Sequence, residues 1–372
     1  MKGAPYGVGS VVLTSNRLPV LAIAAIRRIF ATASAAYLDD IVSVDLRQGQ
    51  GSAQRAVQLL LTTVGAPPKP AKSLAMSSLR PYLGSFVNLS HTVETNSATM
   101  TAKTTMKLEV AAELEQAADD GFLAPTAASK VRGKSGWLAT NAYGRLGRLG
   151  TMVLKQVQYR ADGNLSEGER QALRAQATIA KNAPIREVPL RPRDMQKAVV
   201  YTDASWEPDQ NRAPRIGWVI IREGHPTVGG TTTISDEMVA AWKPRHQQIF
   251  PAESLAVPLV LYHHGDLLRD REVIWFIDNE AACAAMIKGS SKENEVDALT
   301  TWAHLLAYQK GAAIWYEWVD TDSNPADGLS RDGLCDEWTL RQGWELHECQ
   351  EPPALRTSTS AEVLERFHLN VG

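Results

Sequence analysis

Four acidic residues in the second half of the chain have the types and sequence settings needed to hold divalent metal ions. Asp203 lies near the end of the apolar run "AVVYTDAS", and Asp278 ends the run "VIWFID". Glu253 follows Pro251 in the first turn of a predicted helix, and Asp327 begins a short predicted helix. Because ligands of open α/β sheets bind beyond the carboxyl ends of the strands, the four side chains can converge on one rim.

A set of converging carboxylates predicts a particular chemistry. Like charges raise one another's pKa values unless a cation neutralises them. Oxygen ligands of this kind favour Mg²⁺ or Mn²⁺ rather than zinc. Two such ions about 4 Å apart can clamp the attacking and leaving oxygens of a phosphodiester. The four acids therefore predict metal-dependent hydrolysis of a phosphodiester.

Each acid also has a structural explanation when it is taken alone. Asp278 and Asp327 have the type and position of helix caps, and the helix dipole favours an acid such as Glu253 in a first turn. The same four acids are therefore also consistent with a structural α/β protein, in which they serve only as helix caps and turn residues.

The elements that must position these acids follow from the pattern of apolar residues. From residue 198 onward the order is strand, strand, strand, helix, strand, helix, helix, strand, which predicts a compact α/β domain. Upstream, the pattern predicts helices at 18–30, 55–65, 107–119, 126–139 and 144–160, short strands at 75–90, and a linker at 181–194.

The four acidic segments resemble the catalytic blocks of a ribonuclease H domain, in the version attached to retroelement reverse transcriptases. The blocks are "YTDAS", "AESLA", "IDNEAA" and "NPADGLSR", and the last is especially similar to long-terminal-repeat retrotransposons. The resemblance spans roughly 197–335 and implies a five-stranded mixed sheet with helices on both faces. It also implies a tetrad that holds two Mg²⁺ (or Mn²⁺) ions, formed by Asp203, Glu253, Asp278 and Asp327.

In this family one ion activates water and the other stabilises the leaving 3′ oxygen, while the RNA strand of an RNA–DNA hybrid is cut. Ala204 and Ser205 match the positions where the family's backbone approaches the RNA 2′-hydroxyl. The segment "VDTDSNPAD" lacks the histidine that several ribonucleases H place before the final acid, so we expect slower turnover. The interval between Asp203 and Glu253 is also long, with "SDEMVAAWKPRHQQIF" inserted before the helix.

The adjacent carboxylates Asp39 and Asp40 stand between two β-like runs in "AAYLDDIVSV". A tight turn would present the pair at its tip, where a bound metal ion would offset the repulsion between the two carboxylates. Exposed turns also contain such pairs without a metal ion. With Tyr37 in front, the segment resembles the tyrosine–x–Asp–Asp block of reverse transcriptases. The resemblance implies that both aspartates are metal ligands of a polymerase palm.

Further short segments resemble other reverse-transcriptase blocks. The segment "GAPYGVGSVV" resembles the aromatic–glycine block that supports template and nucleotide, with Tyr6 and Gly7 at matching positions. Lys72 matches the lysine of the next block, and Gly84 lies in a segment similar to the primer grip. In this family the fingers and the first metal-binding aspartate precede the aromatic–glycine block, at which this chain begins. We therefore expect a truncated fragment that does not polymerise DNA by itself.

Charge is segregated along the chain, although the formal net charge is only −2. Residues 130–160 contain seven basic residues and no acid, whereas 109–120 are acidic. This distribution predicts a basic track for a phosphate backbone, with Lys134, Arg145 and Arg148 as nucleic-acid contacts. The alternative is a set of solvated faces.

Together these observations predict an α/β (α+β) chain with four parts. These are a partial reverse-transcriptase palm at 1–90, a helical thumb or connection with a linker at 91–190, a ribonuclease H-like domain at 195–335, and a C-terminal tail at 336–372. The expected function is metal-dependent cleavage of RNA in RNA–DNA hybrids; the alternative is an inactive retroelement remnant that binds nucleic acid. Three cysteines without a CxxC pair and no membrane-length apolar run predict an intracellular protein, cytoplasmic or nuclear, without a membrane partner. The oligomeric state stays open.

Overall fold

The structure, a computed structural model, describes residues 9–141, 145–148, 151–182, 185–191, 195–207 and 212–366. The chain divides into two compact units, Met1–Thr99 and Met100–Gly372. No helix within the described ranges is long and apolar enough to cross a membrane.

The first unit contains a small core between two helices. Its elements are α1 (Gly9–Phe30), β1 (Ala33–Tyr37), β2 (Asp40–Val44), α2 (Ser52–Thr63), β3 (Leu79–Tyr82), β4 (Ser85–Asn88) and α3 (Thr92–Thr95). Ile23 and Ile26 of α1 pack with Val57 and Leu61 of α2. Strands β1 and β2 form an antiparallel hairpin, as the sequence predicts.

The border between the two units falls within β5 (Ser97–Ala102). The second unit then begins with a helical bundle: α4 (Thr104–Asp120), α5 (Pro125–Ala139), α6 (Thr151–Gln158) and α7 (Glu167–Asn182), followed by β6 (Arg186–Pro189). Its core includes Val110, Leu114, Leu154 and Leu173, none of which is exposed. Helix α7 occupies a segment for which the sequence predicts no helix.

A mixed sheet forms the centre of the rest of the second unit. Its strands are β7 (Lys197–Ser205), β8 (Arg215–Arg222), β9 (Val228–Thr233), β10 (Glu272–Ile277), β11 (Ala313–Trp318) and β12 (Glu345–Glu348). The strand order is β11-β10-β7-β8-β9-β12. Strand β10 runs parallel to β7 and β11, β7 through β9 are antiparallel neighbours, and β12 runs parallel to β9. The sheet has six strands instead of the predicted five, because β12 extends it beyond residue 335.

Helices cover both faces of this sheet, as expected from the resemblance. They are α8 (Asp236–Ala240), α9 (Ile249–His264), α10 (Glu280–Lys288), α11 (Asn294–Gln309), α12 (Asp327–Arg331), α13 (Glu337–Arg341) and α14 (Ser360–Arg366). Successive residues of a strand point to opposite faces. Trp218 accordingly packs in the main core with residues of α9, whereas Val219 packs against Leu329 of α12.

The segment after residue 335 is part of the domain and not the tail that the sequence predicts. Leu355 and Val363 are fully buried in the main core. Trp302 donates from its indole to Thr357 Oγ1 at 3.2 Å. The run "PPALRTSTS" in the predicted tail therefore contains core residues, and Thr357 and Ser360 have hydrogen-bond partners on α11.

Candidate metal centre

Three of the four predicted acids converge at the carboxyl ends of β7 and β10. One carboxylate oxygen each from Asp203, Glu253 and Asp278 lies within 4.8 Å of the other two. Strands β7 and β10 are parallel with Thr202 opposite Ile277, so the residues that follow, Asp203 and Asp278, reach the same edge. Glu253 enters from α9, which packs against β7. We refer to these three residues as the acid cluster.

The acid cluster is largely removed from water. Asp203 and Glu253 are 4% and 3% exposed, and Asp278 is half-buried. Ser330 Oγ donates to Asp203 Oδ2, and the backbone N–H of Ala204 donates to Glu253 Oε1 at 3.2 Å. Within the described ranges, the buried atoms Glu253 Oε2 and Asp278 Oδ1 have no hydrogen-bond donor. Such oxygens are costly unless something positive satisfies them, so the donor set fits a divalent cation.

The electrostatics of the acid cluster also favour a cation. Burial, and next the charge of Asp278, raises the pKa of Asp203 from 3.8 to about 8. Burial and the neighbouring Asp203 raise the pKa of Glu253 well above its usual value. Buried carboxyls this close cannot all be charged by themselves, whereas a bound divalent ion stabilises the charged forms.

Asp327 is the fourth predicted acid, and it lies beside the acid cluster without joining it. Its Oδ1 atom accepts from Arg331 Nε at 2.9 Å, one helical turn further along α12. Asp327 is still close enough for its charge to contribute to the raised pKa of Asp203. The structure therefore gathers three acids and pairs the fourth with an arginine.

Helix capping does not account for the positions of these acids. The N-cap of α10 is Asn279, whose side chain accepts from Ala282 N at 3.0 Å, so Asp278 is not the cap. Asp327 is already the first residue of α12. Glu253 is the fifth residue of α9, which begins at Ile249, so the predicted first-turn position was wrong.

Several residues that orient the acids were missed by the sequence analysis. Asn324 donates from Nδ2 to Thr202 O at 3.0 Å, which ties the loop before α12 to β7. Trp318 donates from its indole to the backbone oxygen of Asp278 at 2.8 Å. Asn324 and Ser330 both stand within the motif "NPADGLSR", from which only Asp327 was selected as a site residue.

Close packing of α12 on the sheet depends on a glycine. Gly217 lies opposite Asp203 in the β7–β8 ladder. A Cβ atom at Gly217 would collide with backbone atoms of Ala326 and Ser330. The absence of a side chain there lets Ser330 reach Asp203.

The two residues predicted to face the RNA 2′-hydroxyl have partners inside the protein. The N–H of Ala204 is used by Glu253, as described above. The hydroxyl of Ser205 donates to Ser330 O at 2.6 Å. Ser205 remains partly accessible beside the acid cluster, whereas Ala204 is buried.

Asp39 and Asp40 lie at the tip of the β1–β2 hairpin, where the sequence predicts them. Tyr37 stands opposite Asp40, and all three residues are exposed. In the described part of the chain, the acid cluster is the only set of three or more acids, histidines or cysteines with ligand atoms this close, so no third acid joins this pair.

The other residues assigned to polymerase blocks are spread over the first unit. Lys72 is exposed, and Gly84 adopts a φ of 82° in the turn between β3 and β4. Tyr6 and Gly7 lie outside the described residues.

The predicted basic track is partly neutralised by acids within the helical bundle. Lys134 forms an ion pair with Glu113 of α4, and Arg160 forms one with Glu169 of α7. Arg145 and Arg148 instead donate to the backbone oxygens of Ile287 and Lys288, at 2.9 and 3.1 Å.

Comparisons with known proteins give structural likenesses only. No protein-family model and no curated protein sequence matches the chain. A foamy viral protease-reverse transcriptase in complex with double-stranded DNA is 14% identical, with a TM-score of 0.37; the match covers 82% of this chain and 49% of that one, so the chain spans about half its length. RNase H1 from Halobacterium salinarum is 16% identical, with a TM-score of 0.29 and coverage of 37% and 95%. The N-terminal RNase H domain of a Mycobacterium tuberculosis protein, fused to maltose binding protein, is 18% identical, with a TM-score of 0.30 and coverage of 40% and 99%.

Proposed function

We propose that the acid cluster is the centre of a metal-dependent nuclease that cuts the RNA strand of RNA–DNA hybrids, in a chain related to retroelement reverse transcriptases. One observation carries this proposal: Asp203, Glu253 and Asp278 meet within 4.8 Å, although none of them caps a helix. Two of their buried oxygens have no donor among the described residues. Mg²⁺ or Mn²⁺ would stabilise a site of this kind, because both ions prefer carboxylate oxygens as ligands.

The protein's own groups would fix the geometry of the reaction. The acid cluster would hold a divalent ion, which would supply a nucleophilic water and stabilise the charge of the leaving oxygen. Ser330 and the N–H of Ala204 hold the carboxylates of Asp203 and Glu253 in place. Asp278 is the most accessible member of the acid cluster, so it faces the side from which a phosphodiester would approach.

Asp327 would complete a four-acid set if it exchanged Arg331 for a metal ion. Arg331 has a second acidic neighbour, because its guanidinium lies 3.5 Å from Glu207 Oε1. The arginine therefore keeps an ionic partner when Asp327 turns toward the acid cluster. Selection of RNA within a hybrid rests on the resemblance of the motifs around Ala204 and Ser205 to ribonuclease H.

A second candidate function is an inactive remnant that binds nucleic acid without cutting it. The ion pair between Asp327 and Arg331 favours this alternative, because it keeps the fourth acid out of the acid cluster. In both cases the hairpin tip with Asp39 and Asp40 would be a remnant of a polymerase palm.

The distinguishing experiment is cleavage of an RNA–DNA hybrid labelled on the RNA strand, with Mg²⁺ or with EDTA. We expect internal cuts in the RNA with Mg²⁺ only, and a loss of orders of magnitude in Glu253→Gln. Asp236→Asn is the matched control, because Asp236 is an exposed acid in the first turn of α8. Cutting that persists in EDTA, or at the parent rate in Glu253→Gln, would contradict the proposal. Binding without cutting by the parent would support the remnant.

A further inference from the structure

A cleft of about 800 Å³ opens at the end of the sheet opposite the acid cluster. Its walls include the first residues of β10 and β11, 272–274 and 313–315, whereas Asp278 follows the last residue of β10 and Asp203 lies near the end of β7. A strand rises about 3.3 Å per residue, so the six residues of β10 place the cleft roughly 15–20 Å from the acids. The cleft therefore belongs to a different part of the surface.

Three arginines line one side of this cleft: Arg145, Arg148 and Arg186. Each donates to one backbone carbonyl, at 2.9, 3.1 and 2.9 Å, which uses only part of the five-donor capacity of a guanidinium. Among the described residues none of the three has an ion pair. Burial, and next the positive charges of Arg148 and Arg186, lowers the pKa of Arg145. In the part of the chain that the structure describes, the three guanidiniums therefore have no acidic partner.

Aromatic and aliphatic side chains form the other side of the cleft. Trp315 is 68% exposed and lies beside Ile274, its 44% exposed neighbour on β10. Ile314 also lines the cleft. The indole N–H of Trp315 is donated to Glu317 Oε2 at 3.2 Å. A large exposed indole on an edge strand has an unfavourable contact with water, and an aromatic ring of this kind can stack with a base.

The combination of guanidiniums and an exposed indole determines which occupant fits. Arginines bind phosphates, and aromatic faces stack with bases that are not already stacked in a duplex. Two acids, Glu187 and Glu272, also line the cleft, so phosphates would be confined to the arginine side. We propose that this cleft binds a single-stranded segment of RNA or DNA, separately from the acid cluster.

Fluorescence anisotropy measures the binding of labelled oligo(dT) and oligo(rU) to the protein. Because the titrations are made in EDTA, they test this proposal without any need for hydrolysis. We expect Trp315→Ala to weaken binding about tenfold, as loss of one base–aromatic stack does. We expect Arg148→Gln to reduce the slope of log affinity against log salt by about 0.7, the value for one phosphate contact on a single strand. The two oligonucleotides show whether RNA or DNA is preferred.

Matched controls are available on other surfaces of the domain. Trp338 is 51% exposed, and Arg341 is exposed and paired with Glu337, so Trp338→Ala and Arg341→Gln should bind like the parent. Unchanged affinity in Trp315→Ala and an unchanged slope in Arg148→Gln would overturn the proposal, as would equal losses in the controls.

Photocrosslinking of the parent protein to thiothymidine-containing oligo(dT) gives a readout that needs no variant. Adducts on peptides that carry Trp315 or Arg148 are expected, and adducts only elsewhere would overturn the proposal. If the protein binds oligo(dT) but does not cleave hybrids, the result would contradict the proposed nuclease function and still support the single-strand binding site.

Discussion

The raised pKa of Asp203 predicts that the metal-free protein loses stability as the pH rises. The folded-state pKa is about 8 and the ordinary value is 3.8, so between these values the folded protein holds a proton that the unfolded chain has released. Stability falls with pH wherever the folded state binds more protons. Metal binding replaces that proton, so Mg²⁺ should stabilise the protein more at pH 8 than at pH 5.

The size of the effect follows from the linkage between protons and folding. One proton corresponds to about 1.4 kcal/mol for each pH unit. Between pH 5 and pH 7, Asp203 alone would therefore cost up to about 3 kcal/mol in EDTA. Other groups act in the opposite direction: burial lowers the pKa values of His264 and His304 to about 4, so their contribution to stability rises with pH until about pH 6.5.

The comparison of the parent with Asp203→Asn isolates the contribution of one carboxyl group. Asn keeps an acceptor for Ser330 but does not titrate, so the stability difference should shift in favour of the variant as the pH rises in EDTA. Urea titrations of both proteins from pH 5 to pH 8, with EDTA or Mg²⁺, measure this difference. A difference that stays flat in EDTA, or a Mg²⁺ response that is equal in the two proteins, would refute the reasoning.

Three further substitutions test the surroundings of the acid cluster and the C-terminal segment. Ser330→Ala removes a hydrogen bond that lowers the pKa of Asp203, so the acid limb of the pH–rate profile for hybrid cleavage should move to higher pH; an unmoved limb would contradict this role. Arg331→Gln removes a cation beside the acids, so Mn²⁺ should bind more tightly in a paramagnetic titration. The free energy of unfolding should change by less than about 1 kcal/mol, because the ion pair with Asp327 is exposed. Unchanged or weaker Mn²⁺ binding would contradict this role of Arg331. Leu355→Ala should cost about 2–5 kcal/mol in a urea melt, since Leu355 is fully buried, whereas Leu340→Ala, at a 55% exposed position, should cost little; equal small losses would show that the C-terminal segment is a loose tail.

Local patterns predicted much of the second unit. The apolar runs that contain Asp203 near the end of one and lead into Asp278 in the other are β7 and β10, because both runs are rich in the β-branched and aromatic residues that favour strands. The order of strands and helices from β7 to β11 was also predicted, apart from the short helix α8. These features depend on residues that are close together in the sequence, so they can be recognised from one sequence alone.

Other features depend on contacts between distant residues. Strand β12 pairs with β9 across more than a hundred residues, and its short polar sequence "ELHE" has no apolar pattern to indicate a strand. Helix α7 buries Leu173 and Ile179 beside two alanines and the polar Gln176, and the charged residues on its other faces concealed this core-facing stripe. The ion pair of Asp327 with Arg331 follows from side-chain geometry that a motif does not specify.

In the proposed nuclease Asp278 holds a catalytic metal ion, and Asp278→Asn tests this role most directly. Asn279, not Asp278, caps α10, so the substitution should leave the fold intact. The measurement is the Mg²⁺-dependent rate of RNA–DNA hybrid cleavage, with a thermal melt of each protein beside it. We predict a folded variant whose rate falls by orders of magnitude below that of the parent. A folded variant that cuts at the parent rate would contradict the metal role.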